Sequence, residues 1–216
     1  MSARVKPSRR TYNSPLRADQ AEQTRRRILD AAFRLFAEHG YAGTTITAIA
    51  EDAGVSPETI YVSFGGKRGV LEGAIESAID GAEDGATRGD VWWASVAELA
   101  GAPARLEKLV EYSCRILSRT RPIHAVIRGA ADKEPFAAEL GRRLLRDRLV
   151  AQTERIRTYL GNDLRAGLSV DEAGQRYVVL AGPEVYHLLT VELGWSAAQH
   201  RTWLTELLTT ELLGAS

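Results

Sequence analysis

The chain has 216 residues, 44% of them hydrophobic and 26% charged, which leaves room for a real core and excludes a disordered chain or a fibre. Its 28 basic and 28 acidic side chains cancel overall, yet residues 1–34 hold nine Arg or Lys against three acids, and residues 71–99 hold seven acids against Arg88 alone. No apolar run approaches the ~18 residues of a membrane span, the basic start lacks the apolar stretch of a secretory signal, and one cysteine, Cys114, with no Cys/His cluster, makes neither an internal disulfide nor a zinc finger.

A cytoplasmic protein that neither spans a membrane nor holds a metal is expected. The lopsided charge adds that its basic end can attract a polyanion while the body stays neutral.

Residues 1–18, with Pro7 and Pro15 among Ser, Arg and Asn and no periodic apolar positions, read as a basic flexible arm. Its Arg4, Lys6, Arg9 and Arg10 have two readings, a solvated tail or contacts to phosphate that add affinity without reading sequence. From Asp19 to His39 the stripe Ile28, Ala32, Leu35, Phe36 predicts an amphipathic helix, stopped at Gly40. A two-turn helix follows over Ile46 to Ala53, with Thr45 as its N-cap and Gly54 past its end. Ser56, Pro57 and Glu58 then open a third helix that ends at Gly65-Gly66, since a capping hydroxyl, an N1 proline and an acid in the first turn all favour a helix start.

Beyond Lys67 the periodicity predicts helices near 67–86, 90–100, 104–119, 122–131, 134–160, 170–193 and 196–213. Pro183 should kink or split the penultimate one. Strand and hairpin signals are nearly absent. The expectation is an all-α protein with a three-helix unit over 19–66 and a larger helical body over 67–216.

The stretch Thr45 to Phe64 has the build of a helix-turn-helix. Two short helices crossing steeply need a small residue at the contact (Ala50), a sharp turn (Gly54), an apolar plug (Val55) and apolar anchors on the second helix (Ile60, Phe64). With the anchors inward, Pro57, Glu58, Thr59, Tyr61, Val62 and Ser63 lie on or near the exposed side. A DNA major groove, ~12 Å wide, admits such a helix and presents a distinguishable pattern of base edges.

Residues 20–71, above all T-T-I-x-x-I-A-x-x-A-G-V-S-x-x-T-I-Y-x-x-F-x-x-K-x-x-x-L, resemble the DNA-binding domain of TetR/AcrR-type transcriptional regulators, and the helical remainder fits that family too. The resemblance implies a two-fold symmetric homodimer on a palindromic operator of double-stranded DNA. It also implies a repressor released when a small molecule enters the C-terminal body. Carried over by position, Thr45 and Thr47 touch phosphate or base. Ser56, Pro57, Glu58 and Thr59 open the recognition helix, Tyr61 meets the backbone, and Lys67 is the phosphate-facing head of the next helix. Val62 and Ser63 depart from the common pattern of an aromatic followed by His; Val62 suits a thymine methyl. Glu58 has two readings, an acceptor for a cytosine amine or a side chain that favours the helix N-terminus.

In the body, the apolar helix 170–193 and the final stripe Trp203, Leu204, Leu207, Leu208, Leu212, Leu213 point to a four-helix dimer bundle, with an intrachain core as the alternative. Trp92, Trp93, Tyr112, His124 and Arg128, with Cys114 nearby, supply the large apolar walls and few polar groups of a small-molecule site, although each also fits an ordinary core or surface. The absence of a tight acidic cluster there favours an apolar or aromatic effector over a cationic one.

No nucleophile beside a base, carboxylate pair, metal cluster or phosphate loop is visible, so neither an enzyme nor a cofactor is expected. The alternative to a ligand-responsive regulator is a DNA-binding protein whose C-terminal body docks another protein.

Overall fold

The computed structural model describes residues 15–82 and 90–214, with side chains over 18–81 and 93–214. Among the described residues ten helices follow in order: α1 (Pro15–Gly43), α2 (Ile46–Ala53), α3 (Pro57–Phe64), α4 (Lys67–Ala82), α5 (Asp90–Ala97), α6 (Ala102–Ala130), α7 (Pro135–Leu160), α8 (Val170–Leu180), α9 (Pro183–His187) and α10 (Ala197–Leu208). Five-residue π-helical turns extend α9 over Leu188–Glu192 and α10 over Thr209–Leu213. No strand occurs among the described residues, so the all-α reading holds. Arg4, Lys6, Arg9 and Arg10 lie outside the described residues.

The short helices begin and end where their caps stand. Thr45 and Ser56 each accept from the backbone N–H three residues on, at Ala48 and Thr59, and Gly54 (φ 65°) closes α2 in the left-handed region that favours glycine. α1 starts at Pro15, four residues earlier than the periodicity predicts, because proline is tolerated in a first turn.

The helices expected over 104–119 and 122–131 are instead one, α6, running through Pro122. An interior proline costs about 3 kcal/mol or more. Burial of Leu117 and Thr120 before it and Ile123, Val126 and Ile127 after it outweighs that cost. At Pro183 the expected break does occur, between α8 and α9.

Two apolar cores lie along α6 and α7. The first joins α1, α2, α3 and α4 through Ile28, Phe36, Ile49, Ile60 and Leu71 to the C-terminal end of α6 and the start of α7. The second joins the start of α6 and the end of α7 to α8 and α10 through Leu106, Ile156, Tyr177, Leu204 and Leu208. α4 thus supplies core to the N-terminal unit with Val70, Leu71, Ala74 and Ile75.

α10 departs from the dimer reading of its apolar stripe. Leu204, Leu208 and Leu212 are fully buried within the chain's own second core, so this side of the helix is an intrachain surface. Trp203, Leu207 and Leu213 stay half-buried. The preceding segment is mixed: Tyr177, Tyr186 and Leu189 are buried, but Val179, Leu188, Val191 and Leu193 are exposed.

Candidate nucleic-acid interface and ligand cavity

The N-terminal unit presents α3 on its surface. Ile60 is fully buried beneath it, Ala50 and Ala53 are buried at the α2 contact, and Val55 and Phe64 pack half-buried against the same core. Inward anchors at those positions turn the intervening residues out. Tyr61 and Val62 are exposed, Val62 at 88%, a degree of exposure with no folding rationale for an apolar side chain. Glu58 and Ser63 are exposed as well, while Pro57 and Thr59 are half-buried. Thr45 and Thr47 stand exposed at the head of α2.

Glu58 is the one charged residue of α3. Its carboxyl is held below the usual range first by its own backbone N–H and then by the Ser56 side chain, which matches the helix-N-terminus reading. Cationic charge is supplied instead by α1, where Arg25, Arg26 and Arg27 are exposed, and the Arg25 guanidinium lies 4.6 Å over the Phe64 ring.

Lys67, expected as the phosphate-facing head of α4, is also engaged within the N-terminal unit. Its ammonium donates to the carbonyls of Tyr41 (2.9 Å) and Thr44 (3.0 Å) and sits 4.2 Å over the Tyr41 ring. Two of its three donors are therefore committed to the α1–α2 junction. The buried Thr44 hydroxyl completes that junction by donating toward the carbonyls of Gly40 and Leu35. Together they fix the head of α4 against the helix-turn-helix, a role the sequence reading missed.

Between the two cores the middle of α6 and α7 leaves a cavity of about 310 Å³, with contributions from α4 and α8. Tyr112 and His124 line it, as expected. Trp93 does not. Its ring packs 5.0 Å from Tyr112 and 5.7 Å from Tyr159, so it buttresses the wall from behind. Arg128 is exposed and not part of the lining, because its place on α6 falls on the outward side. The Trp92 side chain lies outside the described residues. Cys114 is also off the cavity, 3.5 Å from His200 Nδ1, and burial pushes its thiol up to about 11.

α7 carries the wall that the sequence reading did not single out. Leu144, Arg148, Gln152 and Ile156 follow one another every four residues on one side of the helix. Two polar residues thus interrupt an apolar stripe where it passes the cavity, and that interruption is a signal the sequence does contain. Gln152 is buried and reaches the Ser113 hydroxyl at 3.5 Å, which in turn lies 2.9 Å from the Tyr177 hydroxyl. Arg155 donates to the Tyr112 hydroxyl at 3.1 Å and lies over the Trp93 and Tyr112 rings.

His124 is pushed down to about 4, mainly by burial and then by the Arg148 and Arg128 charges, with Glu184 opposing. It is neutral at pH 7. The phenol of Tyr177, fully buried, is raised by burial. No group here is arranged as a nucleophile with its base. The cavity's lining is mostly apolar with a few polar groups.

Residues 28–74 match the family model described as bacterial regulatory proteins of the tetR family. Over 55 residues the chain is 44% identical to the transcriptional regulator SrpR of Pseudomonas putida, a match covering 26% of each chain. The similarity therefore spans about a quarter of that relative.

Solved structures extend the likeness along the chain. One described as a transcriptional regulator of Saccharomonospora viridis, in complex with choline, superposes with a TM-score of 0.67 at 25% identity, over 89% of this chain and 98% of the other. FadR of Bacillus subtilis, in complex with stearoyl-CoA, superposes with a TM-score of 0.65 at 20% identity, over 86% and 98%, and speaks for the fold alone. By its N-terminal sequence, residues 28–74, and by its fold, the chain resembles the TetR/AcrR family of transcriptional regulators.

Proposed function

We propose that this protein is a homodimeric repressor that reads a palindromic operator through α3 and releases it when a small molecule enters the cavity between α6 and α7. The observation that carries the reading is the exposed face of α3, where Tyr61, Val62 and Ser63 project above anchors buried in the first core. An exposed valine on a helix of groove-fitting size suits a thymine methyl, and the Thr59 and Ser63 hydroxyls suit base edges or phosphate.

The dimer supplies two such helices about one DNA turn apart, ~34 Å, which a two-fold operator requires. Val150 on α7 (68% exposed), Val179 on α8 (66%) and Leu188, Val191 and Leu193 after α9 offer the apolar surface for it. The α10 stripe already buried within one chain does not.

The position of α4 supports release by an effector. Ile79 and Glu76 line the cavity while Lys67, at the other end of the same helix, holds the DNA-binding unit. An effector that fits best when α4 is displaced draws the two recognition helices away from the one-turn spacing, and a coupling of ~1–3 kcal/mol lowers operator affinity ~5–150-fold.

The test is a titration of the full chain against an operator-bearing duplex at roughly physiological salt, repeated with Val62→Ala and Thr59→Ala. Changed base preference with unchanged melting supports the docking; unaltered preference in both variants refutes it.

A further inference from the structure

The cavity holds a charge that the fold leaves without a partner. Arg143 lies 3.7 Å from Glu72 and 4.0 Å from Glu76, and Arg155 is engaged by Tyr112. Arg148, in the wall between them, has no carboxylate oxygen within 4.0 Å among the described residues, and its Nε–H is buried without an acceptor. Glu184 acts on it only from beyond ion-pair distance. The acids of the wall itself, Glu76 and Asp147, are both exposed.

A guanidinium keeps its charge at any ordinary pH and presents five donors in a planar fork. Left unpaired against an apolar wall it is costly, and the described residues supply neither a carboxylate nor a carbonyl to relieve it. Its neighbour His124, neutral, adds one donor without adding positive charge. Around this polar corner the wall is hydrocarbon, from Ile79, Ile116, Leu117, Leu144 and Val178.

We propose that the effector is an amphiphilic anion, a monocarboxylate or a compound of like charge, with its head on Arg148 and its apolar body along α6 and α4. The proposal rests on the effector-cavity reading above and narrows it. It assigns the effector a charge opposite to that of choline, the molecule held by the Saccharomonospora viridis protein.

The full chain is titrated calorimetrically, and its melting followed, with octanoate, octanamide, octylammonium and choline. Octanoate is expected to bind and to raise the melting temperature, and a charge-assisted fork contact makes it about 10- to 100-fold tighter than octanamide. Arg148→Gln, which removes an unpaired buried charge and so keeps the fold, is expected to bring octanoate down to the affinity of octanamide. Equal or tighter binding of octanamide, octylammonium or choline overturns the anion assignment and leaves the effector cavity standing. An octanoate affinity unchanged in Arg148→Gln overturns it too. Binding by none of the four, in a folded dimer, overturns both the assignment and the cavity reading.

Discussion

Glu76 on α4 and Arg143 on α7 meet at 4.0 Å in the wall of one cavity, and Arg143 also reaches Glu72, one turn nearer the DNA-binding unit, at 3.7 Å. The pair ties the helix that carries the helix-turn-helix to a helix that lines the ligand space. Both partners are partly exposed, so the contact contributes ~0–1 kcal/mol to stability. Arg143→Gln is expected to leave the urea midpoint nearly unchanged and to shift operator affinity by about 0.5–2 kcal/mol, as residues between coupled sites do. Parallel denaturation and DNA titrations check it. A stability loss with unaltered DNA affinity contradicts the coupling through α4.

Lys67→Met keeps the apolar stem and deletes the ammonium that satisfies the Tyr41 and Thr44 carbonyls. The loss is expected at about 1–3 kcal/mol in chemical denaturation, since partly buried acceptors are left unpaired. Binding to all DNA sequences weakens with it, because α4 no longer fixes the unit. Normal stability in this variant would show that the junction holds without the lysine.

Gly174 on α8 is a close approach to α7. A Cβ there would fall 2.1 Å from the Thr153 Oγ1 and 3.1 Å from its Cβ. A helical Gly→Ala change ordinarily gains about 0.5–1 kcal/mol. Here the sign reverses, and Gly174→Ala is expected to cost about 1–3 kcal/mol by overpacking. Thr153→Ala should recover part of that loss in a double-mutant cycle. A stabilised single mutant would contradict the packing of α8 on α7.

Burial holds His124 neutral, its pKa pushed down to about 4 from 6.5. The unfolded chain therefore binds this proton more readily than the folded one. Stability falls as pH drops from about 6.5 to about 4 and levels off below. His124→Phe makes the slope shallower, and the buried His200 keeps its own share. Urea midpoints for both proteins at pH 7 and pH 4.5 measure the difference, and equal slopes would place His124 in solvent.

The helix-turn-helix was legible from sequence because local chemistry alone decides it. Thr45, Gly54, Ser56 and Pro57 fix the starts and the turn, and the structure puts α2 and α3 on the expected residues. The body was legible as helices but less so as contacts. Pro122 reads as a boundary by every local rule, yet burial on both its sides carries α6 through. Leu204, Leu208 and Leu212 form a stripe that suits a partner chain or the chain's own core equally, and only tertiary packing chooses the latter.

The cavity shows the same limit. Aromatic residues drew attention to 92–128, whereas the wall with the most polar character lies on α7, where Arg148 and Gln152 interrupt the inward stripe. The contacts of Lys67 within the unit are hidden in the sequence because its acceptors, the carbonyls of Tyr41 and Thr44, lie more than 20 residues away along the chain.

Selection of the full chain against a random double-stranded DNA library, at roughly physiological salt where non-specific binding is weakened, tests the central claim most directly. The account predicts an enriched inverted repeat with half-sites about one helical turn apart, ~10 bp. A folded, dimeric protein that enriches no sequence would contradict it.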